Sequence, residues 1–223
     1  PLCSTFKFLL VAAVLRRVDH HAEALDRTVS IPPKPLLFNS PLTEPNAGGT
    51  MTVAALCHAA LTQSDNTAAN LLLATIGGPA GITRFSRSLG DAVTRLDRWE
   101  TSLNESLAGD PRDTTSPGAM AGDLKSVLLG NVLSRLSRDQ LTGWMEANLT
   151  GLERLRAKLP AGWRAADKTG SNGEHTSNDI AVFLPGGRPP IIVTAYITQC
   201  TGPERKRAAM LAKIGELVRE ASS

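Results

Sequence analysis

The chain has 223 residues, 42% of them apolar and 20% charged, and a net charge of +3, a balance that suits one large globular domain or two interleaved subdomains. The basic excess is too small for a nucleic-acid binder. The one dense run, Arg205-Lys206-Arg207, opens a helical pattern and reads as a solvated face. Three cysteines without a CxxC pair build neither a zinc site nor a disulfide framework, and Cys57 reads as a small core residue.

Residues 4–18 are apolar almost all round, which predicts a buried helix opened by a serine. Its apolar run, Phe8 to Leu15, is too short to span a bilayer, and it lacks the basic lead and small-residue cleavage site of a signal peptide. A polar, proline-rich segment follows from Ser30 to Gly49. Thr52 then opens the helical pattern TVAALCHAALTQ, which SDN interrupts. TAANLLLATIGG resumes it and stops at paired glycines. A helix over Pro79–Leu89 comes next. Residues 91–117 show no periodicity, and a loop of that length inside a compact domain is usually functional. Helical patterns return at 118–130, 137–147 and 151–158.

After Trp163 the pattern changes to strands: WRAADKTGS, DIAVFLP and IIVTAYIT, the last two joined across PGGRPP as a hairpin. PERKRAAMLAKIGELVREA closes the chain as an amphipathic helix. Helices, then antiparallel strands, then a helix predict an α+β fold, an antiparallel sheet flanked by a mainly helical subdomain. Residues 1–162 form the helical portion and 163–223 the sheet strands and last helix, one functional unit with its site between the two.

Three short motifs carry chemistry. Ser4 and Lys7 share one face of the first helix, and an ammonium among Phe6, Phe8, Leu9 and Leu10 needs a reason. A serine hydroxyl is a weak nucleophile until a base takes its proton, and a desolvated lysine has the lowered pKa of such a base. Ser64-Asp65-Asn66 reads as a turn, or as a second hydroxyl and a carboxamide beside the first serine. Lys168-Thr169-Gly170-Ser171 ends a strand with an ammonium, two hydroxyls and a glycine alongside which a carboxylate ligand fits. All three in this order arise by composition at roughly one in a thousand.

Together they resemble the serine penicillin-recognising enzymes, which share an SxxK nucleophile, an SDN-type element and a KTG strand. Trp99-Glu100-Thr101-Ser102-Leu103-Asn104, flanked by Leu96-Asp97-Arg98 and Gly109-Asp110-Pro111-Arg112-Asp113, resembles the omega loop of class A β-lactamases. That resemblance runs from Cys3 to the last helix. It implies hydrolysis of penicillins and cephalosporins through an acyl-enzyme on Ser4, with Lys7 or Glu100 as the first base. Ser64 would relay the proton to the leaving nitrogen, and Glu100 with Asn104 would hold the hydrolytic water. Asn66, Lys168, Thr169, Gly170 and Ser171 would bind substrate, and Arg98 would pair with Asp113 across the loop neck. It implies no cofactor or metal, a monomer acting on a small molecule without nucleic acid or membrane, and a periplasmic or secreted location.

The departures from that pattern carry expectations of their own. Thr101 stands where many members carry proline, which argues for a less rigid loop. Ser177 stands where many carry the carboxylate-binding arginine, so Arg154 is expected to substitute and Arg156 to face elsewhere. Cys3 has no cysteine partner in Ser171-Asn172-Gly173, against a dedicated carbapenemase; a pairing of Cys3 with Cys200 is left to the fold. Members carry a helix and two strands before the nucleophile. The expectation is therefore an N-terminally truncated piece of a longer product, with IIVTAYIT as an open edge and poor expression or activity on its own. The alternatives are a peptidoglycan DD-peptidase or penicillin-binding protein, which lacks the ExxLN loop, and an inactive β-lactam-binding fragment.

Overall fold

The helix that carries Lys7 forms the axis of the larger core. In the computed structural model, which describes residues 1–222, a single 3₁₀ turn at Cys3–Thr5 leads into α1, Phe6–Asp19. Every residue from Phe6 to Leu15 is buried, as an all-round apolar helix requires. Around it pack α2 (Val53–Thr62), α3 (Asn66–Thr75), α4 (Pro79–Ser88) and α6 (Arg135–Glu146). Polar side chains stop these helices from fraying: Thr52 accepts from the Ala55 N–H, Asp65 from Ala68 and Ser134 from Ser137, each such cap being worth about 1 kcal/mol.

The second layer is an antiparallel sheet in the order β3 (Arg164–Ser171), β4 (Ser177–Leu184), β5 (Ile191–Ile197). Alternation along the strands divides its side chains between two cores. Ala166, Ile180 and Val182 face the helical cluster, whereas Ala165, Ala181, Phe183, Val193 and Ala195 pack with Leu211 of α7, Glu204–Ala221. Helix α5, Pro117–Leu124, lies against β5 and continues as a wider π-type turn over Lys125–Leu129.

Four local expectations change. The segment 151–158 is a series of turns, not a helix, because its N–H groups are taken elsewhere: Leu155 N–H donates to Asp179 Oδ2 at 3.0 Å, and Arg154 and Ala157 bond three residues back. The proline-rich segment is bracketed by a short ladder, β1 (Thr28–Ser30) with β2 (Thr50–Thr52), too short to show periodicity. β4 begins at Ser177, earlier than the apolar run, since Ser177 and Asn178 are buried too. Arg207 is fully buried rather than solvated. Its guanidinium donates to Ser177 Oγ and to the carbonyls of Cys200 and Gly202. All three cysteines are free, with Cys3 Sγ 3.5 Å from Ser106 Oγ.

Candidate active site

Where the helical layer meets the edge of β3 there is a cleft of about 550 Å³. Ser4 opens into it from the turn before α1. The preceding residue, Cys3, has φ +44°, a left-handed conformation uncommon for a residue with a side chain. The turn is pressed against β3 at Gly170. A Cβ there would meet Leu2 O at 2.8 Å and Ser4 N at 3.1 Å, so the strand approaches the serine this closely only with glycine.

Behind Ser4 lies a fully buried ionic group. Lys7 and Glu100 have unexposed side chains, and Lys7 Nζ stands 3.0 Å from Glu100 Oε1. The same ammonium donates to Ser64 O at 2.8 Å, Ser64 Oγ at 3.3 Å and Asn66 Oδ1 at 2.6 Å. This answers the question set by a lysine in an apolar helix: its charge is met on all sides. Burial pulls the Lys7 pKa below the ordinary lysine value, and the Glu100 carboxylate opposes that pull. Ser4 Oγ donates to Glu100 Oε1 at 3.5 Å, so one carboxylate oxygen faces both the hydroxyl and the ammonium.

Ser64, at φ +57°, is placed by the turn between α2 and α3. Its oxygen accepts from Lys7 and, at 3.1 Å, from Lys168. Two ammonium groups thus use its lone pairs and leave its own proton free to point into the cleft. Lys168 is fully buried and falls to about 7, by burial first and by the Lys7 charge second. Asp65 is structural: besides capping α3, it accepts from the N–H groups of Leu42 and Thr43. Asn66 donates to Phe38 O at 2.7 Å.

Glu100 is aimed by its neighbours. Asn70 on α3 brackets its peptide, Oδ1 accepting from the Glu100 N–H at 3.0 Å and Nδ2 donating to its carbonyl at 2.9 Å. Asn104 Nδ2 donates to Glu100 Oε2 at 2.7 Å, and Asn104 Oδ1 is buried with no protein partner. The peptide between Glu100 and Thr101 is cis. At the loop neck Arg98 Nε meets Asp113 Oδ2 at 2.6 Å, and Asp113 Oδ1 accepts from the N–H groups of Asp97 and Arg98.

Arg154 lines the cleft, its Nη1 donating to the carbonyls of Gly170 and Asn178 and its Nη2 2.9 Å from Glu204 Oε1. Arg156 points away, to Asp167 Oδ1 at 2.9 Å. Ser177, where the resemblance places an arginine in many members, accepts at its hydroxyl from Arg207. Thr169, Gly170 and Ser171 form the cleft wall, and Thr169 Oγ1 bonds Thr150 Oγ1. All eleven residues singled out in the sequence therefore converge on one place. Sequence reasoning missed Asn70, Thr150, Glu204 and Phe38, the last a cleft residue 87% exposed. An aromatic in a proline-rich loop was the available signal for Phe38. The other three act through tertiary contacts alone. Among the described residues no group of three or more His, Cys, Asp or Glu is arranged to hold a metal ion, and no helix is long and apolar enough to cross a membrane.

The profile of the family described as "Beta-lactamase enzyme family" matches residues 1–221. The chain is 49% identical over 218 residues to Beta-lactamase L2 of Stenotrophomonas maltophilia, covering 97% of this chain and 72% of that protein. It is 45% identical over 217 residues to Beta-lactamase CTX-M-25 of Escherichia coli, covering 97% and 75%. Its backbone superposes on a solved ancestral Gram-negative class A β-lactamase with a TM-score of 0.97 at 58% identity, covering 99% of this chain and 85% of that one.

Proposed function

The chain belongs to the class A branch of the beta-lactamase enzyme family, whose reaction is β-lactam hydrolysis, and we propose that it carries out that hydrolysis through an acyl-enzyme on Ser4. The observation that carries this reading is the position of Glu100 Oε1, 3.5 Å from Ser4 Oγ and 3.0 Å from Lys7 Nζ.

Acylation begins when Ser4 Oγ attacks the lactam carbonyl and its proton passes to Glu100 Oε1, the carboxylate oxygen its hydroxyl already faces. The contact is long, and catalytic hydrogen bonds commonly shorten toward the transition state. Lys7 holds that carboxylate and links it to Ser64. The backbone N–H groups of Ser4 and Ser171 receive the oxyanion, one such donor being worth roughly 3 kcal/mol of barrier. When the C–N bond breaks, the Ser64 hydroxyl gives its proton to the departing nitrogen; Lys7, in contact with both groups, passes Ser64 a proton and takes back the one Glu100 received from Ser4, so Glu100 is again a carboxylate.

Deacylation needs a base beside the ester. Glu100 Oε2 and the unpartnered Asn104 Oδ1 offer two acceptors to one water; Glu100 takes its proton as it attacks the ester carbonyl, and returns that proton to Ser4 Oγ as the ester C–O bond breaks. Arg154, Lys168, Thr169 and Ser171 bind the substrate carboxylate, and Asn66 binds the acylamino side chain. Penicillins and cephalosporins both fit this recognition. The enzyme acts as a monomer outside the cytoplasm, periplasmic or secreted, where the lactam targets lie, and so confers resistance. A buried carboxylate behind the serine speaks against a DD-peptidase, which would hold penicillin as a lasting adduct.

Mass spectrometry of the protein mixed with benzylpenicillin tests this. Wild type should turn over with no persisting adduct, Glu100→Gln should gain a penicilloyl mass on Ser4 more slowly, with Lys7 as the remaining base, and then keep it, and Ser4→Ala should gain none. A long-lived wild-type adduct would instead indicate a DD-peptidase or a sensor.

A further inference from the structure

Away from the reaction centre, the two ends of the loop that carries Glu100 bring two acids together. Asp91 follows α4 where the loop begins, and Asp123 lies in α5 just after it ends. Both are buried, with 8% and 1% of their surface exposed. Asp91 Oδ1 accepts from the N–H groups of Val93 at 2.6 Å and Thr94 at 3.0 Å. Asp91 Oδ2 and Asp123 Oδ2 are both buried and have no donor. The two side chains are within hydrogen-bonding reach of one another.

Two ionised carboxylates so placed would repel each other in a medium that screens poorly, and both oxygens would lack a donor. A single proton removes both faults. We propose that Asp91 and Asp123 share one proton near neutral pH and that this acid–carboxylate bond is the outermost stitch of the Glu100 loop. Asp123 carries the proton and donates it to Asp91, whose charge the Val93 and Thr94 N–H groups already stabilise. Inside this stitch the loop ends are joined by Thr94 Oγ1 to Thr115 Oγ1 at 2.6 Å, by the Arg95–Thr114 bridge and by Arg98 with Asp113. The pair is therefore the first link of a ladder that ends one residue from the Trp99–Glu100 turn.

The surrounding charges are few. From α4 comes Arg87, whose Nη1 donates to the carbonyls of Asp91 and Thr94 and whose charge favours ionisation of Asp123. From β5 comes Tyr196, a phenol held well above its ordinary pKa and so neutral. Burial and the Asp91 charge outweigh Arg87 and push Asp123 up to about 8 from its ordinary 3.8. The folded state holds a proton that the unfolded chain has lost, so stability falls as pH rises from about 4 to about 8 and then levels.

Asp123→Asn tests this without removing the bond, because the amide donates to Asp91 at every pH. Its melting temperature should match wild type near pH 4.5 and exceed it by several degrees at pH 8.5. Asp91→Asn, which keeps an acceptor for Val93 and Thr94, should show the same growing difference and covers a folding defect in the first variant. A difference that stays constant with pH in both variants overturns the shared proton. The catalytic half of the proposal rests on the reading of Glu100 as deacylating base and has its own readout. Between pH 7 and 9 the penicilloyl adduct of wild type should lengthen in lifetime several-fold relative to Asp123→Asn. Equal lifetimes, with the melting difference still present, overturn the link to the loop and leave the proton in place.

Discussion

Arg154 and Arg156 differ by two positions in sequence and by everything in surroundings. Arg154 is tethered to two carbonyls and to a half-exposed Glu204 at the cleft wall. Its removal should raise KM for benzylpenicillin at least tenfold, beyond any loss of stability from the two carbonyls it leaves without a donor. Arg156 faces Asp167, whose side chain is unexposed and otherwise held by Asn148. Arg156→Ala should leave KM alone and lower stability by about 3 kcal/mol, because it strands a buried carboxylate; denaturant titration beside steady-state kinetics separates the two. Lys168 adds a pH dependence. Its folded value of about 7 lies below that of a free lysine, so its charge fades as pH rises through that value. KM for a carboxylate-bearing lactam should climb above neutral pH, and Lys168→Arg should move that limb upward, since a guanidinium stays charged.

Elements act here through how closely they approach. β3 abuts the Ser4 turn only because Gly170 lacks a Cβ. Gly170→Ala should push the strand from Ser4 and cut kcat/KM about a hundredfold, a penalty in line with a misplacement near 1 Å, while circular dichroism shows a folded protein. Helix α3 reaches the loop through Asn70, which holds Glu100 by both backbone groups. Asn70→Ala should slow deacylation more than acylation, so an acyl-enzyme should build up in stopped-flow mass spectrometry. Equal slowing of both steps would show that Asn70 only stabilises the fold.

At the scale of the molecule, the site depends on two cores at once. Ser4, Lys7, Ser64 and Glu100 hang on the cluster around α1, whereas Lys168 to Ser171 belong to a sheet whose far face packs on α7. Trp144 reports on the first and Trp163, packed against Phe183, on the second. Since the sheet contributes Ala166, Ile180 and Val182 to the helical cluster, urea should abolish activity, fluorescence and far-UV dichroism in one coincident transition. Separate midpoints would mean that the cores open independently.

Periodicity and short motifs determined much of this from sequence alone. An apolar stripe all round 4–18, a lysine within it, alternation after Trp163 and the SDN, KTG and ExxLN stretches are local patterns that indicated the layers and ten of the candidate site residues; Arg154 came only from the family resemblance. Tertiary structure decided whatever depends on which group captures which. The stretch 151–158 has helical spacing, yet Asp179 takes the Leu155 N–H and turns result. Arg207 looks solvated in a basic run, yet it finds carbonyl acceptors inside the fold. Asn70 holds Glu100 from 30 residues away, and Asp91 meets Asp123 only because the loop between them closes on itself. Hydrogen bonds and burial are settled by spatial neighbours, and no local pattern names those.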